Sequence, residues 1–223
     1  PMLLLHSLLA GETSYLARWL QTCPRKQFTT LDTHDGIGVV DVKGLLPDKQ
    51  IEKTKELIFA NSPIAKEITS TAIYKNMDVY QINCTYYSAL GNNDNAYLTA
   101  RAVQMFAPGI PQIYYTGMLA GKNDIELLES TKNGRDINRH SYTIEEIAEE
   151  IKRPVVKNVI KLMQFRNEFP AFEGDCEVTA KGPVLTIKRD GNGYRTELAA
   201  DMKLHTFSIT YSGPDGVIHH LNM

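Results

Sequence analysis

The residues best suited to chemistry are His34 and Asp35, which follow the run Phe28-Thr29-Thr30-Leu31-Asp32-Thr33 and precede Gly36-Ile37-Gly38. An apolar, β-branched run that stops at an imidazole and a carboxylate reads as a buried strand. Its carboxyl end delivers both groups into a cavity shaped by glycine. In a parallel α/β barrel that end of a strand carries the chemistry, while the opposite face serves stability. A plainer reading competes, because Asp-Gly is a common turn dipeptide and a histidine can simply cap a strand.

The elements that must position this pair follow from periodicity. Residues 2–21 carry apolar side chains at helical spacing, with Gly11 as a break and Pro24 as the stop. A strand over residues 28–31 comes next. Residues 45–59 read as a helix opened by Pro47-Asp48, and residues 60–78 as a polar excursion with Pro63 inside a short helix. Residues 79–83 alternate, and residues 94–106 are helical. Pro108-Gly109-Ile110-Pro111 then breaks the chain before a second buried strand over residues 112–115. Strand, helix, strand is a βαβ unit, here with a long loop in the crossover. Three helices follow: a short acidic one over residues 123–130, one over 142–150 headed by Thr143 and Glu146 in capping-box style, and one over 154–166 opened by Pro154. From residue 172 the period becomes two. Residues 177–179, 184–187, 197–199, 205–210 and 216–219 read as a small antiparallel sheet, with Asp190-Gly191-Asn192-Gly193 as a hairpin signal.

Composition narrows the function classes. The 223 residues are 43% apolar and 22% charged, which excludes a disordered chain. Net charge is −2, and the basic pieces are as short as Arg25-Lys26 and Lys188-Arg189, so neither nucleic acid nor a membrane surface is an expected partner. The apolar stretch over residues 2–10 is too short to span a bilayer. Cys23, Cys84 and Cys176 are widely spaced, with no CxxC pair. That pattern predicts a reduced, cytoplasmic chain without a disulfide framework or zinc site. No residue spacing suggests a metal ligand set, and no cofactor is expected. The sequon Asn83-Cys84-Thr85 is then a chance match. Pro1 opens directly on an apolar helix with no start signal, which predicts further residues upstream.

Five blocks in order carry a resemblance. They are Phe28-Thr29-Thr30-Leu31-Asp32-Thr33-His34-Asp35-Gly36-Ile37-Gly38; Asp78-Val79-Tyr80-Gln81-Ile82-Asn83; Ala107-Pro108-Gly109-Ile110-Pro111-Gln112-Ile113-Tyr114-Tyr115; Leu119-Ala120-Gly121-Lys122-Asn123-Asp124; and Gly134-Arg135-Asp136-Ile137-Asn138-Arg139-His140. Together they resemble the sucrose phosphorylases of the α-amylase clan, over nearly the whole chain and more weakly after about residue 172. The resemblance implies an α/β fold: the C-terminal portion of a (β/α)8 TIM barrel over residues 1–169, with an inserted loop region at about 42–81, then a small antiparallel β domain over 170–223.

The chemistry the resemblance implies is reversible, retaining transfer of glucose from sucrose to phosphate, giving α-glucose 1-phosphate and fructose. Two carboxylates flank the bond that breaks, around an oxocarbenium-like transition state. Asp35 would be a third carboxylate, binding glucose hydroxyls and stabilising the developing positive charge. His34 would donate to a neighbouring hydroxyl. Arg135 would hold the same sugar or orient a carboxylate, although with Asp136 and Arg139 it could equally form a structural ion-pair network. Tyr80 and Gln81 would line the acceptor side, where fructose and phosphate take turns, on a loop that also carries Met77 and Asp78. Lys122 and Asp124 fit loop structure better, and His219 and His220 fit exposed strand positions.

The family's nucleophile and general acid have no matching context here. Asp32, Asp41 and Asp48 take neither role. The chain is therefore expected to be a truncated or split fragment of a longer enzyme and inactive alone, with open strand edges and exposed apolar surface that favour aggregation or association with a complementary N-terminal polypeptide. Two alternatives stand beside this: another α-amylase-clan glucosyltransferase or hydrolase with a different acceptor, and a non-catalytic binding or assembly piece.

Overall fold

The computed structural model of the chain describes residues 1–71, 73–74 and 80–223. It opens with α1 (Met2–Ala10) and α2 (Ser14–Thr22), separated at Gly11, whose φ of 68° closes the first helix. Strand β1 (Phe28–Thr29) leads through the His34-Asp35 turn into β2 (Ile37–Gly38). Helices α3 (Asp48–Asn61) and α4 (Pro63–Ser70) follow, the second begun by its proline at the first position. Strand β3 (Gln81–Ile82) pairs antiparallel with β2, setting Gln81 opposite Gly38 and Ile82 opposite Ile37. After a single turn, α5 (Tyr86–Ala89), comes α6 (Asp94–Phe106), capped by Asn93, whose side chain accepts from the Ala96 amide.

Helix α6 is the spine of the molecule. Residues 96–106 are all buried, so it is enclosed on every side. It packs against α1, α5 and α10 (Pro154–Glu168), and against the C-terminal sheet. Strand β4 (Ile110–Pro111) then pairs parallel with β1. This parallel pair with a helix between its strands is the βαβ unit that the periodicity predicts.

Two strand assignments need correction. The pair spans two residues on each side and is extended by hydrogen bonds from the Ile110 amide to the Gln27 carbonyl and from the Gln112 amide to the Thr29 carbonyl. Pro111 interrupts none of these bonds, because the donors toward β1 are its neighbours Ile110 and Gln112. Tyr115, expected in a strand, instead starts the one-turn helix α7 (Tyr115–Met118), with Tyr114 as its cap position. Nor is β1 buried: Phe28 is 70% exposed and Ile110 61% exposed. Among the described residues β1 pairs with β4 alone, and an apolar run does not reveal that.

The remaining helices are α8 (Ile125–Thr131), α9 (Ile144–Glu150) and α10. In α9 the capping box forms as spaced: Thr143 accepts from the Glu146 amide, and Glu146 accepts from the Thr143 amide. A 3-10 turn over Gly134–Asn138 lies between α8 and α9. The chain ends in an antiparallel meander, β5 (Asp175–Lys181), β6 (Val184–Gly191), β7 (Tyr194–Asp201), β8 (Thr206–Ser212) and β9 (Ile218–His220), ordered as in sequence. Asn192 (φ 56°) and Gly193 (φ 79°) make the tight β6–β7 turn. Inward side chains Leu185, Ile187, Leu198 and Ala200 join the same apolar core as Leu5, Leu20 and Phe106. The sheet is thus seated on the helices around one core. Among the described residues no helix is long and apolar enough to cross a membrane, and Cys23, Cys84 and Cys176 are free thiols.

Candidate functional site

The site begins with an anchor beneath it. Asp32, two residues beyond the Thr29–Thr30 end of the β1 ladder, is 10% exposed and pairs with Arg101 of α6, whose side chain is fully buried. The same guanidinium donates to the Tyr97 hydroxyl (Nε, 3.0 Å) and to Gln104 Oε1 (2.7 Å). Gln104 in turn donates from Nε2 to the Thr29 carbonyl (3.0 Å) and the Gln112 carbonyl (2.9 Å), stitching the ends of β1 and β4 together. Burial works against the charge on Arg101, yet Asp32 beside it keeps its pKa above the ordinary arginine value. Asp32 spends Oδ2 on this pair, while its Oδ1 is buried without a hydrogen-bond partner among the described residues.

Three residues on, the chain turns outward. Asp35 stands one-third exposed and His34 two-thirds exposed, with His34 Nε2 3.7 Å from Asp35 Oδ2. Arg135 Nη1 lies 3.1 Å from Asp35 Oδ1, and Arg139 Nη2 lies 3.8 Å from the same oxygen. Neither guanidinium points an N–H along that line: Asp35 Oδ1 is buried and has no hydrogen bond among the described residues. The carboxylate is therefore held by charge and left an acceptor position unused.

The turn owes its shape to the 134–139 segment. Asn138 donates from Nδ2 to the Asp35 carbonyl (2.8 Å) and the Thr33 carbonyl (3.3 Å), and Arg139 Nε donates to the His34 carbonyl (2.9 Å). Arg139 also reaches Asp136 Oδ1 at 3.4 Å. Arg135 thus belongs to an ion-pair network with Arg139 and Asp136, and that network contains Asp35. On the other side, the Gly36 amide donates to Gln81 Oε1 (3.2 Å). A Cβ on Gly36 would stand 2.7 Å from Asn83 Oδ1 and 2.8 Å from the Ile82 carbonyl oxygen, so glycine is required where the turn passes β3.

The structure therefore brings His34, Asp35, Arg135 and Gln81 to one place. Tyr80, adjacent and 57% exposed, extends the β2–β3 ladder by accepting at its carbonyl from the Val39 amide (2.9 Å). Asp78 and Met77 lie outside the described residues. Asp124 and His140 form a separate contact, Oδ2 to Nδ1 at 2.5 Å, with Asp124 also capping α8. Sequence reasoning missed Asn138 as the clamp on the turn and gave Arg139 only an ion-pair role. Nothing local in the sequence marks Asn138, whose bonds reach carbonyls at 33 and 35. Among the described residues no group of three histidine, cysteine or acidic side chains is placed to hold a metal ion.

No family model matches the chain. It is 56% identical over 215 residues to a sucrose phosphorylase of Streptococcus mutans, an alignment covering 94% of this chain and 45% of that protein. It is 45% identical to a glucosylglycerol phosphorylase of Marinobacter adhaerens, over 99% of this chain and 47% of that protein. A crystal structure of sucrose 6F-phosphate phosphorylase from Thermoanaerobacter thermosaccharolyticum superposes with a TM-score of 0.87 at 38% identity, covering all of this chain and 46% of the other. The chain spans about half the length of these relatives and matches their C-terminal part.

Proposed function

We propose a role in glucosyl transfer, proceeding from the fact that the chain belongs to the sucrose phosphorylase family of the α-amylase clan and has the fold of its C-terminal barrel portion and small β domain. The reaction is retaining transfer of glucose from sucrose to phosphate, releasing fructose and giving α-glucose 1-phosphate. The observation that carries this is Asp35: a carboxylate on the turn after β1, one-third exposed beside His34 and steadied by Arg135 and Arg139.

In this reading Asp35 accepts hydrogen bonds from two glucose hydroxyls and faces the ring as positive charge develops at its anomeric carbon. Such preorganised negative charge costs no reorganisation at the moment of reaction. His34, exposed beside it, donates to a neighbouring hydroxyl. Arg135 orients Asp35 and binds the same sugar. Tyr80 and Gln81 border the acceptor side with Asp78, and Gln81 also holds the Gly36 amide that shapes the turn.

Retaining chemistry needs a nucleophile and a general acid about 5–5.5 Å apart across the scissile bond. In this reading Asp35 has the third role, and the nucleophile and general acid belong to the part of the barrel outside the stretch that aligns with the relatives. The chain alone then binds glucose without turning over sucrose. Calorimetric titration with glucose tests the half-site: binding in the parent chain and its loss in Asp35→Ala supports the reading. Binding that survives Asp35→Ala refutes it, as does glucose 1-phosphate formed by the pure chain from sucrose and phosphate.

A further inference from the structure

At the opposite end of the β1–β4 pair lies a cleft of about 900 Å³, lined by Phe28 and Ile110 where the strands begin, and by Arg166 and Arg189. Arg189 owes its place to register. The alternation of β6 that turns Leu185 and Ile187 inward also turns Arg189 inward, and it is 6% exposed. Its Nη2 donates to the Phe172 carbonyl (2.6 Å), while its Nε is buried without a hydrogen-bond partner. Arg166, in the last turn of α10, donates from Nη2 to the Gly109 carbonyl (3.1 Å), and its Nε is likewise buried and unpartnered. Both guanidinium groups lie against one ring: the central carbons are 4.5 Å (Arg166) and 5.7 Å (Arg189) from the Phe172 centroid.

Two like charges therefore share a partly dry pocket, and among the described residues neither is ion-paired with a carboxylate. Buried charges ordinarily have counterions. Carboxylates are present along the cleft at Glu173, Asp175 and Glu177, yet none pairs with these arginines, and Glu173 accepts from Asn192 Nδ2 (2.7 Å). Arg25 and Lys26 on the same wall offset their charge. Burial, and then the neighbouring Arg189, push Arg166 down to about 10. That is the direction an arginine takes when its counter-charge is lacking.

We propose that Arg166 and Arg189 form an oxyanion-binding site remote from Asp35, taking a free tetrahedral anion such as inorganic phosphate. Each guanidinium spends Nη2 on a backbone carbonyl and keeps Nη1 and the unpartnered Nε to donate to phosphate oxygens, and the Phe172 ring lies against both. This inference does not depend on the glucosyl-transfer reading, in which phosphate acts at the Asp35 end of the strands.

The test is an NMR titration of the folded chain with inorganic phosphate, then sulfate, then acetate, following the arginine side-chain Nε–H resonances. Saturable shifts at Arg166 and Arg189 with phosphate and sulfate are expected, unchanged in Asp35→Ala and Arg135→Gln. Binding should weaken at least about tenfold in Arg189→Lys, which keeps charge and loses the fork, and vanish in Arg166→Gln, whose position at a helix end preserves the fold if Arg189 variants do not. A response to acetate alone would make a carboxylate, such as one brought by another polypeptide, the natural occupant and overturn the phosphate assignment. Unmoved resonances, or shifts that persist in Arg166→Gln, overturn the site itself.

Discussion

Replacing Asp32 by asparagine should unsettle the whole β1 end while changing almost no volume. The carboxylate is 10% exposed and its partner Arg101 is fully buried. Removing one member of a buried pair strands the other charge, at a cost of about 3–5 kcal/mol. Arg101 keeps its bonds to the Tyr97 hydroxyl and Gln104 Oε1, so the lower end, about 3 kcal/mol, is the better expectation. In a chain of this size 1 kcal/mol moves the melting midpoint by about 2–4 °C, which predicts a drop of about 6–12 °C for Asp32→Asn. Thermal melts followed by circular dichroism at neutral pH measure it, with urea unfolding as the second probe. The exposed control Glu56→Gln should shift little. Arg101→Met alone should also destabilise, and the double variant Asp32→Asn/Arg101→Met should lose less than the sum of the singles, because neither charge is then left alone. If Asp32→Asn melts within about 3 °C of the parent, corresponding to roughly 1 kcal/mol, the anchor is not what holds the turn.

Gly36→Ala sets a Cβ within 2.8 Å of both Asn83 Oδ1 and the Ile82 carbonyl, so the turn or β3 must shift. Overpacking of this kind costs about 1–3 kcal/mol, and glucose affinity should fall alongside the melting midpoint in the same sample. Unchanged affinity would show that the β2–β3 contact does not shape the sugar pocket. Glu146, hydrogen-bonded to the Thr143 amide, has its carboxyl pKa held below the ordinary glutamate value. A depressed folded-state pKa contributes stability that is present above the unfolded value near 4.5 and lost as pH falls through the folded one. Helix α9 should therefore fray on acidification from pH 5 to about 3, and Glu146→Gln should flatten that dependence in amide-exchange measurements. An identical pH profile in the variant would remove the capping box from the account.

How much of this was legible in the sequence varies with the physics of each element. The C-terminal meander was readable because a half-buried sheet imposes a period of two, and Asp190-Gly191-Asn192-Gly193 announces its tight turn. Helices α9 and α10 were readable from their caps. Tyr114 and Tyr115 were misplaced in a strand because an aromatic, β-branched run carries the same signal whether or not a ladder partner exists. The His34-Asp35 turn was visible, yet its clamp was not. Asn138 works through two backbone carbonyls more than a hundred residues away in sequence, and such a contact leaves no local trace. Arg101 was hidden for the opposite reason: in a helix buried on every side, one arginine looks like a solvated interruption until its carboxylate partner is known.

The two ends of the β1–β4 pair show why charge burial, more than motif, divides the molecule into parts with different work. Near Asp32 a buried arginine is matched by a carboxylate, so the charge is neutralised and the backbone above it is rigid enough to aim Asp35. Around Asp35 two arginines meet one carboxylate at an opening, and one oxygen stays without a hydrogen bond. That imbalance suits a site which must accept the hydroxyls of a neutral sugar and feel a passing positive charge. Near Phe28 the carboxylates that line the cleft pair with neither arginine, and it is this imbalance that the proposed anion would offset. One family of side chains, in three states of neutralisation, thus yields an anchor and, in the readings proposed above, a sugar site and an anion site along a single pair of strands.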